Sequence, residues 1–419
     1  MKNIVKITGL ALLMGVTACQ KKLDADNNSS SRGNTSAVYM NSNNASISFP
    51  KSTESGSTKF EVRVSNLRSK EETITLAATN FFAEYNEKNS TSYKMLPASE
   101  YTLYEEGNAS NTSTNGILRV TIKPGQTSAQ IGVKVRPLDE DIYPMGVKYA
   151  IPLRIVSASL PVLSNKDVVI TLSRPFKTSV AKIAQGYALG VKVADDVPES
   201  DEFTIQGLYL FKEFHAYNGI NVNMSLFQGP MLPYTRIDAG KIQVKNGGGD
   251  SPDDWALSSE IAKDKWCQIT FTYKDSYLRL YINGKLVKTY QRPSLKVSPG
   301  MRINIENTQT SYSADRYFRE FRVWNRVLTD AEIADGLYLP ADPDTKGLVV
   351  YLPINKKEGF KDMSKYNNTT IYRKGTSRYN SGIQDGGNYV KEIEATEFAD
   401  GIEWTENVKF PAEGLEIEQ

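Results

Sequence analysis

Apolar and polar residues alternate along most of this chain in short runs, the period of half-buried strands. In "KWCQITFTYKDSYLRLYINGKLVKTY" (Lys265 to Tyr290), Cys267, Ile269, Phe271 and Tyr273 fall on one face of a strand. Gln268, Thr270 and Thr272 fall on the other. After a Lys274-Asp275-Ser276 turn, Leu278, Leu280 and Ile282 again share a face. Asn283-Gly284 then supplies the left-handed residues of a two-residue hairpin turn, and Leu286 to Tyr290 returns. Further on, Phe318, Phe321, Val323 and Trp324 precede "LTDAEI", where Thr329 and Glu332 have capping-box spacing. That predicts a short helix over Asp330 to Gly336.

The same alternation divides the chain. From Ala37 to Arg174 come "ASISFP", "TKFEVRVSN", "ETITLAAT", "GILRVTIKPGQTSAQIGVKVRP", "YAIPLRIVSAS" and "DVVITLSR", with Pro124-Gly125 as a turn between two strongly alternating runs. This is the all-β pattern of a small immunoglobulin-like sandwich over residues 37–174. Residues 175–183 ("PFKTSVAKI") read as a short linker, and residues 184–419 as a second β-rich domain. Its expected strands include "FTIQGLYLF", "NVNMSLFQGP", "YTRIDAGKIQVKN", "GLVVYLPIN" and "EWTENVKFP", the late ones pairing with early ones as a jelly roll requires.

The N-terminus has a different pattern. Lys2 and Lys6 precede the apolar stretch Ile7 to Val16, which is short for a bilayer span. Val16-Thr17-Ala18-Cys19 follows and resembles a bacterial lipobox. The resemblance implies a signal peptide over residues 1–18, cleavage before Cys19 and acylation of that cysteine, a stable anchor without a transmembrane helix. Residues 19–36 are polar and aperiodic, as in a flexible lipidated tether. Asp24 and Asp26 loosely resemble the acidic tract that sends such lipoproteins to the outer face of the outer membrane in Bacteroidetes; Lys21 and Lys22 dilute it.

The Lys265–Tyr290 and Tyr317–Pro340 segments together resemble the laminin-G-like branch of the concanavalin A-like lectin/glucanase family. "FFAEYNEKNSTSYKMLPASEYTL" (Phe81 to Leu103), followed by "TIKPGQ" and "KYAIPLRI", resembles a poorly characterised N-terminal domain of Bacteroidetes surface lipoproteins. Those relatives belong to polysaccharide-utilisation loci and join this domain to lectin-like modules or endoglycosidases. The two resemblances imply a surface lipoprotein that captures complex glycans, host N-glycans among them. It would present them to an importer or endoglycosidase of the same locus.

Composition narrows the chemistry. Fifty basic and 48 acidic residues leave a formal charge of +2, which does not point to nucleic acid. Apart from Cys19 the chain has a single cysteine, Cys267, so no intrachain disulfide is expected once Cys19 is acylated. One histidine, His215, leaves almost no room for Ser-His-Asp or metal-histidine sites. Glycosidases of the concanavalin A-like fold carry paired carboxylates on one strand. Glu392, Glu394 and Glu397 come near that spacing but without aromatic context, and read as a solvated acidic hairpin. The expectation is a binding protein and not an enzyme, with no required cofactor. Asp250, Asp253 and Asp254, or Asp342 and Asp344, could offer oxygens to calcium, without the spacing of a calcium loop.

Sugar rings stack on aromatic planes and present hydroxyls to planar polar groups. "NGGGDSPDDWALSS" sets Trp255 among Asp253 and Asp254 in a turn-rich segment, a lid over the sandwich edge being the competing reading. "FQGPMLPYTRIDAG" offers Tyr234, Arg236 and Asp238; "KEFHAYNG" offers His215 and Tyr217; "NTQTSYSADR" adds Tyr312. These residues are the expected ligand contacts. A protein-binding adhesion module is the alternative, and a glycoside hydrolase a more distant one.

Overall fold

The computed structural model describes residues 36–89, 91–183, 187–212, 225–227, 234–238, 240–245, 252–256, 261–292, 294–307, 316–374, 390–392 and 401–418. Sheets account for nearly all regular structure, in two successive domains.

In the first domain a single hydrogen-bonded sheet of eleven strands folds over on itself. One half contains Tyr101–Glu105, Ser128–Val135 and Gly56–Val64, with Val38–Met40 alongside. The other contains Asn44–Ser48, Asp167–Ser173, Tyr149–Ala158, Glu72–Ala78 and Ile117–Ile122. The halves are bonded at one rung, Ser48 opposite Ser57. Gly56 stands at that fold: a Cβ there would lie 2.5 Å from Ile47 Cγ2, closer than any real contact. Alternating residues from both halves, Val62, Leu103, Val133, Ile74, Leu118 and Leu153 among them, fill the space between. At the open edges Glu105 accepts from the Thr121 amide (3.2 Å) and from Asn111 (2.7 Å), which also donates to the Arg119 carbonyl (2.7 Å). Side chains thus close the sandwich where backbone ladders end.

A helix over Phe82–Asn89 interrupts the first domain, where the alternation pattern predicts none. Asn80 Oδ1 accepts from the Phe82 amide at its start. Phe82 is buried and packs against Tyr85 and Tyr93, with ring centroids 6.2 and 5.9 Å away. Aromatic burial holds this short helix to the sheet, since eight residues are marginal alone.

The second domain begins earlier than expected. Phe176–Ile183, which the sequence marks as linker, is a strand bonded to Ile402–Phe410 on one edge and to Arg316–Trp324 on the other. Its alternation is hidden by a register shift between Thr178 and Val180. Only Arg174 and Pro175 separate it from the last strand of the first domain. The eight-stranded sheet continues through Phe203–Phe211, Trp266–Lys274, Tyr277–Ile282 and Lys285–Gln291, with Leu348–Leu352 beside Arg316–Trp324. A five-stranded sheet is built from Ser225–Phe227, Arg302–Asn307, Tyr187–Lys192, Thr369–Lys374 and Val390–Glu392. Leu189, Val191, Ile303 and Ile305 of the second sheet meet Ile205, Ile269, Phe271 and Val323 of the first in the largest core.

The Asn283-Gly284 turn forms as expected, with φ of 49° and 77°. The helix over Asp330–Asp335 also forms, with the Thr329–Glu332 capping box complete. Gln268, Thr270 and Thr272, the polar face of their strand, are buried nonetheless. Trp324, Leu328, Ile333 and Tyr281 form a further apolar layer on the outer side of this sheet. Gln206 bridges the polar stripe, donating to Thr270 (3.3 Å) and accepting from the Trp324 indole (3.2 Å).

The same outer side receives the first domain. Met145 packs against Phe176, Leu208, Leu210, Trp266 and Phe410. Lys94 pairs with Asp342 at 3.3 Å, and Lys148 with Asp335. At Gly146 an added Cβ would fall 2.3 Å from the Ala341 carbonyl oxygen, so the backbones of the two domains touch.

Candidate functional site

A small three-stranded sheet flanks the large core. Tyr234–Asp238 pairs with Lys241–Lys245, which pairs with Trp255–Ala256. Thr235, Ile237, Ile242, Gln243, Val244 and Ala256 are buried, and the four apolar ones join the core. Tyr234, Arg236 and Asp238 occupy the alternate positions. Arg236 stands opposite Gln243, and Gln243 opposite Trp255. Two stretches far apart in sequence are therefore brought to one rung, roughly 10 Å across by strand spacing. The two stretches are separate in the sequence, and pairing through Lys241–Lys245 unites them.

A buried arginine braces this sheet. Arg292 Nη2 donates to the Val244 carbonyl (2.8 Å) and to Asp254 Oδ1 (3.0 Å), and Nη1 to the Gln291 carbonyl (2.9 Å). Its guanidinium lies 5.1 Å from the Tyr290 ring centroid. Burial pushes the Tyr290 hydroxyl far above the ordinary phenol range. Tyr273 fixes the arginine's backbone, donating to the Arg292 carbonyl (2.8 Å) and accepting from the Leu295 amide (3.2 Å).

This geometry corrects one expectation. Asp254, expected as a ligand contact, is 7% exposed and is the ion-pair partner of Arg292. It fastens the turn Pro252–Asp254, from which Trp255 follows, to the hairpin end. Asp253 beside it is exposed. Arg292 and Tyr290 were not singled out from the sequence; "TYQRP" gives no sign that its arginine is buried. His215, Tyr217, Tyr312, Asp250, Glu394, Glu397 and Cys19 lie outside the described residues. Glu392 ends the Val390–Glu392 strand.

Asp342, offered above as a calcium ligand, pairs with Lys94 and accepts from the Asp344 amide at 3.1 Å, capping its own turn. Among the described residues no group of three or more His, Cys, Asp or Glu side chains is placed to hold a metal. Nor is any described helix long and apolar enough to cross a membrane.

Residues 190–334 match the family model of the concanavalin A-like lectin/glucanase superfamily, in its laminin-G form. Residues 32–162 match a family model described as an N-terminal domain. The chain is accordingly an all-β protein with a sandwich domain followed by a concanavalin A-like domain. No curated protein matches it. Among solved structures it is similar to a candidate carbohydrate-binding protein of Bacteroides ovatus, at 20% identity and TM-score 0.48, covering 83% of this chain and 99% of that one. A heptameric SAP-like pentraxin of Limulus polyphemus matches at 12% identity and TM-score 0.32, over 48% and 96% of the two chains. Domain 4 of an extracellular arabinanase of Geobacillus stearothermophilus, solved with arabinotriose, matches at 14% and 0.27, over 35% and 71%.

Proposed function

We propose that this protein binds complex glycans without covalent chemistry, through the three-stranded sheet that flanks its C-terminal core. The observation carrying this reading is the register that sets Arg236 and Trp255 on one rung, within a concanavalin A-like domain. Tyr234 and Asp238 lie two residues either side of Arg236, so one short strand carries aromatic and planar polar residue types at alternate positions. The brace of Arg292 holds that area in shape before any ligand arrives, which lowers the ordering cost of binding.

Among the described residues, buried carboxylates are engaged within the fold. Glu72 is tied to Arg68, Glu100 to Arg136, Asp254 to Arg292, and Asp362 to the amides of Tyr351, Ser364 and Asn368. Each serves the fold. The lipobox-like segment ending at Cys19 supports lipid attachment to the membrane, and the loose acidic pair Asp24 and Asp26, diluted by Lys21 and Lys22, supports folded domains facing outward. Presentation to an importer or endoglycosidase, and mannose-rich host N-glycans as ligand, are the narrower parts of the proposal; they rest on the lipoprotein resemblance.

A glycan-array screen with and without calcium, then calorimetry of any hit with Trp255→Ala, tests the reading. Binding abolished by the substitution establishes a lectin with its site at this sheet. A blank array across host and plant glycans overturns it and favours protein adhesion.

A further inference from the structure

The cleft where the two domains meet forms a groove of about 590 Å³, within the roughly 300–1,000 Å³ of small-ligand sites. The first domain contributes Glu140, Asp141 and the Pro144–Val147 turn; the second contributes Phe176–Ser179, the Pro340–Asp344 segment, Asn355, Lys357 and Glu358. Four of the lining side chains, Phe176, Arg319, Glu320 and Tyr351, are almost wholly buried. Arg319 Nη2 donates to Glu320 Oε1 (2.6 Å), and Nη1 to the Tyr338 carbonyl (3.2 Å). Its Nε–H has no acceptor, although the residue is 2% exposed. The guanidinium is also stacked over Phe410 and Phe176, 4.5 and 5.3 Å from their ring centroids, which holds this wall of the groove rigid.

We propose that this groove is a second ligand site, and that it takes a short, uncharged oligosaccharide. The chemistry of the walls selects that class. Glu140, Asp141, Asp344 and Glu358 bring acceptor groups to the walls; Lys357 brings a donor, as does Lys177, which pairs with Glu418 at 3.2 Å. Charges of both signs around one opening oppose a polyanion and a polycation alike. Hydroxyl groups both donate and accept, so a polyol satisfies the two sets together. Pro343, Pro353 and Met363 give the C–H surface that sugar faces need. Asp141 stands on one domain and Glu358 on the other, so ligand in the groove would bridge them. The site is separate from the sheet around Trp255 and does not depend on it.

The test is calorimetry on the whole chain, purified in mild detergent, with linear neutral tri- and tetrasaccharides of mannose, glucose and xylose. The variants are Asp141→Ala/Glu358→Ala, which changes two groove-wall side chains, and Trp255→Ala. Circular dichroism and the thermal midpoint confirm that each variant folds. Two classes of site are expected with a ligand that occupies both. The groove variant should weaken one by about tenfold or more and leave the other, while Trp255→Ala does the reverse. A second, weak class that survives Trp255→Ala and is unchanged in the groove variant overturns the groove. So does a single class lost in Trp255→Ala, which leaves the first site intact. Tighter binding of uronic-acid or sulfated oligosaccharides at the groove overturns the ligand class. No binding of any neutral oligosaccharide overturns both sites.

Discussion

Glu320 Oε2 accepts a 2.6 Å hydrogen bond from Arg322 Nη2, with both side chains buried. Glu320 Oε1 accepts from Arg319 at 2.6 Å, and the Tyr351 hydroxyl donates to Oε2 at 3.1 Å. The backbone of Glu320 has φ of 56°, left-handed for a residue with a Cβ. It lies where the strand bulges against Phe203–Phe211, between the rungs of Leu208 with Arg319 and Gln206 with Arg322. The bulge places one carboxylate between two guanidiniums, outside the register a regular strand would impose.

Removing that carboxylate leaves two buried cations facing one another. Glu320→Ala is expected to destabilise the C-terminal domain by about 3–5 kcal/mol, the scale for breaking a buried pair. Glu320→Gly relaxes the backbone yet loses the same charge, so it should recover about 1 kcal/mol at most. Urea denaturation of both variants checks the order.

Asp254→Ala strands Arg292 in the same way beside the proposed glycan site. It should cost about 2 kcal/mol and weaken glycan binding together with the thermal midpoint. Asp253→Ala, at the exposed neighbour, should lower the midpoint much less than Asp254→Ala. Calorimetric affinities set against thermal midpoints separate bracing from direct contact.

The thiol of Cys267 is buried, and burial pushes its pKa up to about 12. A thiol held protonated and covered should not react with a disulfide reagent in the folded protein. It should titrate fully once denaturant unfolds the second domain. Rapid reaction in buffer would show that this strand opens.

Acid should weaken the first domain in a stated direction. The Ser159 hydroxyl first, and then Arg68, hold the Glu72 carboxyl below its ordinary 4.5. The Arg136 guanidinium does the same for Glu100, helped by Tyr143 and Ser99. The unfolded chain therefore binds protons at higher pH than the folded one. The stability these groups supply is complete above about pH 5 and is lost as pH falls through their lowered values. Glu100→Gln should flatten that fall in denaturation curves taken across the acid range.

At the domain junction Gly146→Val must displace the Ala341 backbone. The two domains should separate while each stays folded, seen as a larger radius of gyration in small-angle scattering and faster proteolysis near Arg174.

Much of the second domain was legible because its signals are local. Cys267, Ile269, Phe271 and Tyr273 enter the core together, followed by Leu278, Leu280 and Ile282. The Asn-Gly turn and the capping box also formed from neighbouring residues alone. What escaped depends on partners distant in sequence. Alternation shows that the two faces of Trp266–Lys274 differ, yet says nothing of the apolar layer that covers the polar one. The register shift at Thr178 to Val180 disguised a strand as a linker. At the candidate site, the residue types in Tyr234–Asp238 and Trp255 were readable, while their shared rung was not. Asp254 looked like a ligand contact because Arg292, 38 residues away, gives no local sign of taking it.

Passing from one domain to the other through Arg174 and Pro175 also has a mechanical meaning. Tension along the chain reaches the second domain at Phe176, inside a strand whose ladder with Ile402–Phe410 already begins there. No slack segment stretches first. The load falls as shear on that whole ladder, so the joint acts as a stiff coupling that passes force directly between the two domains.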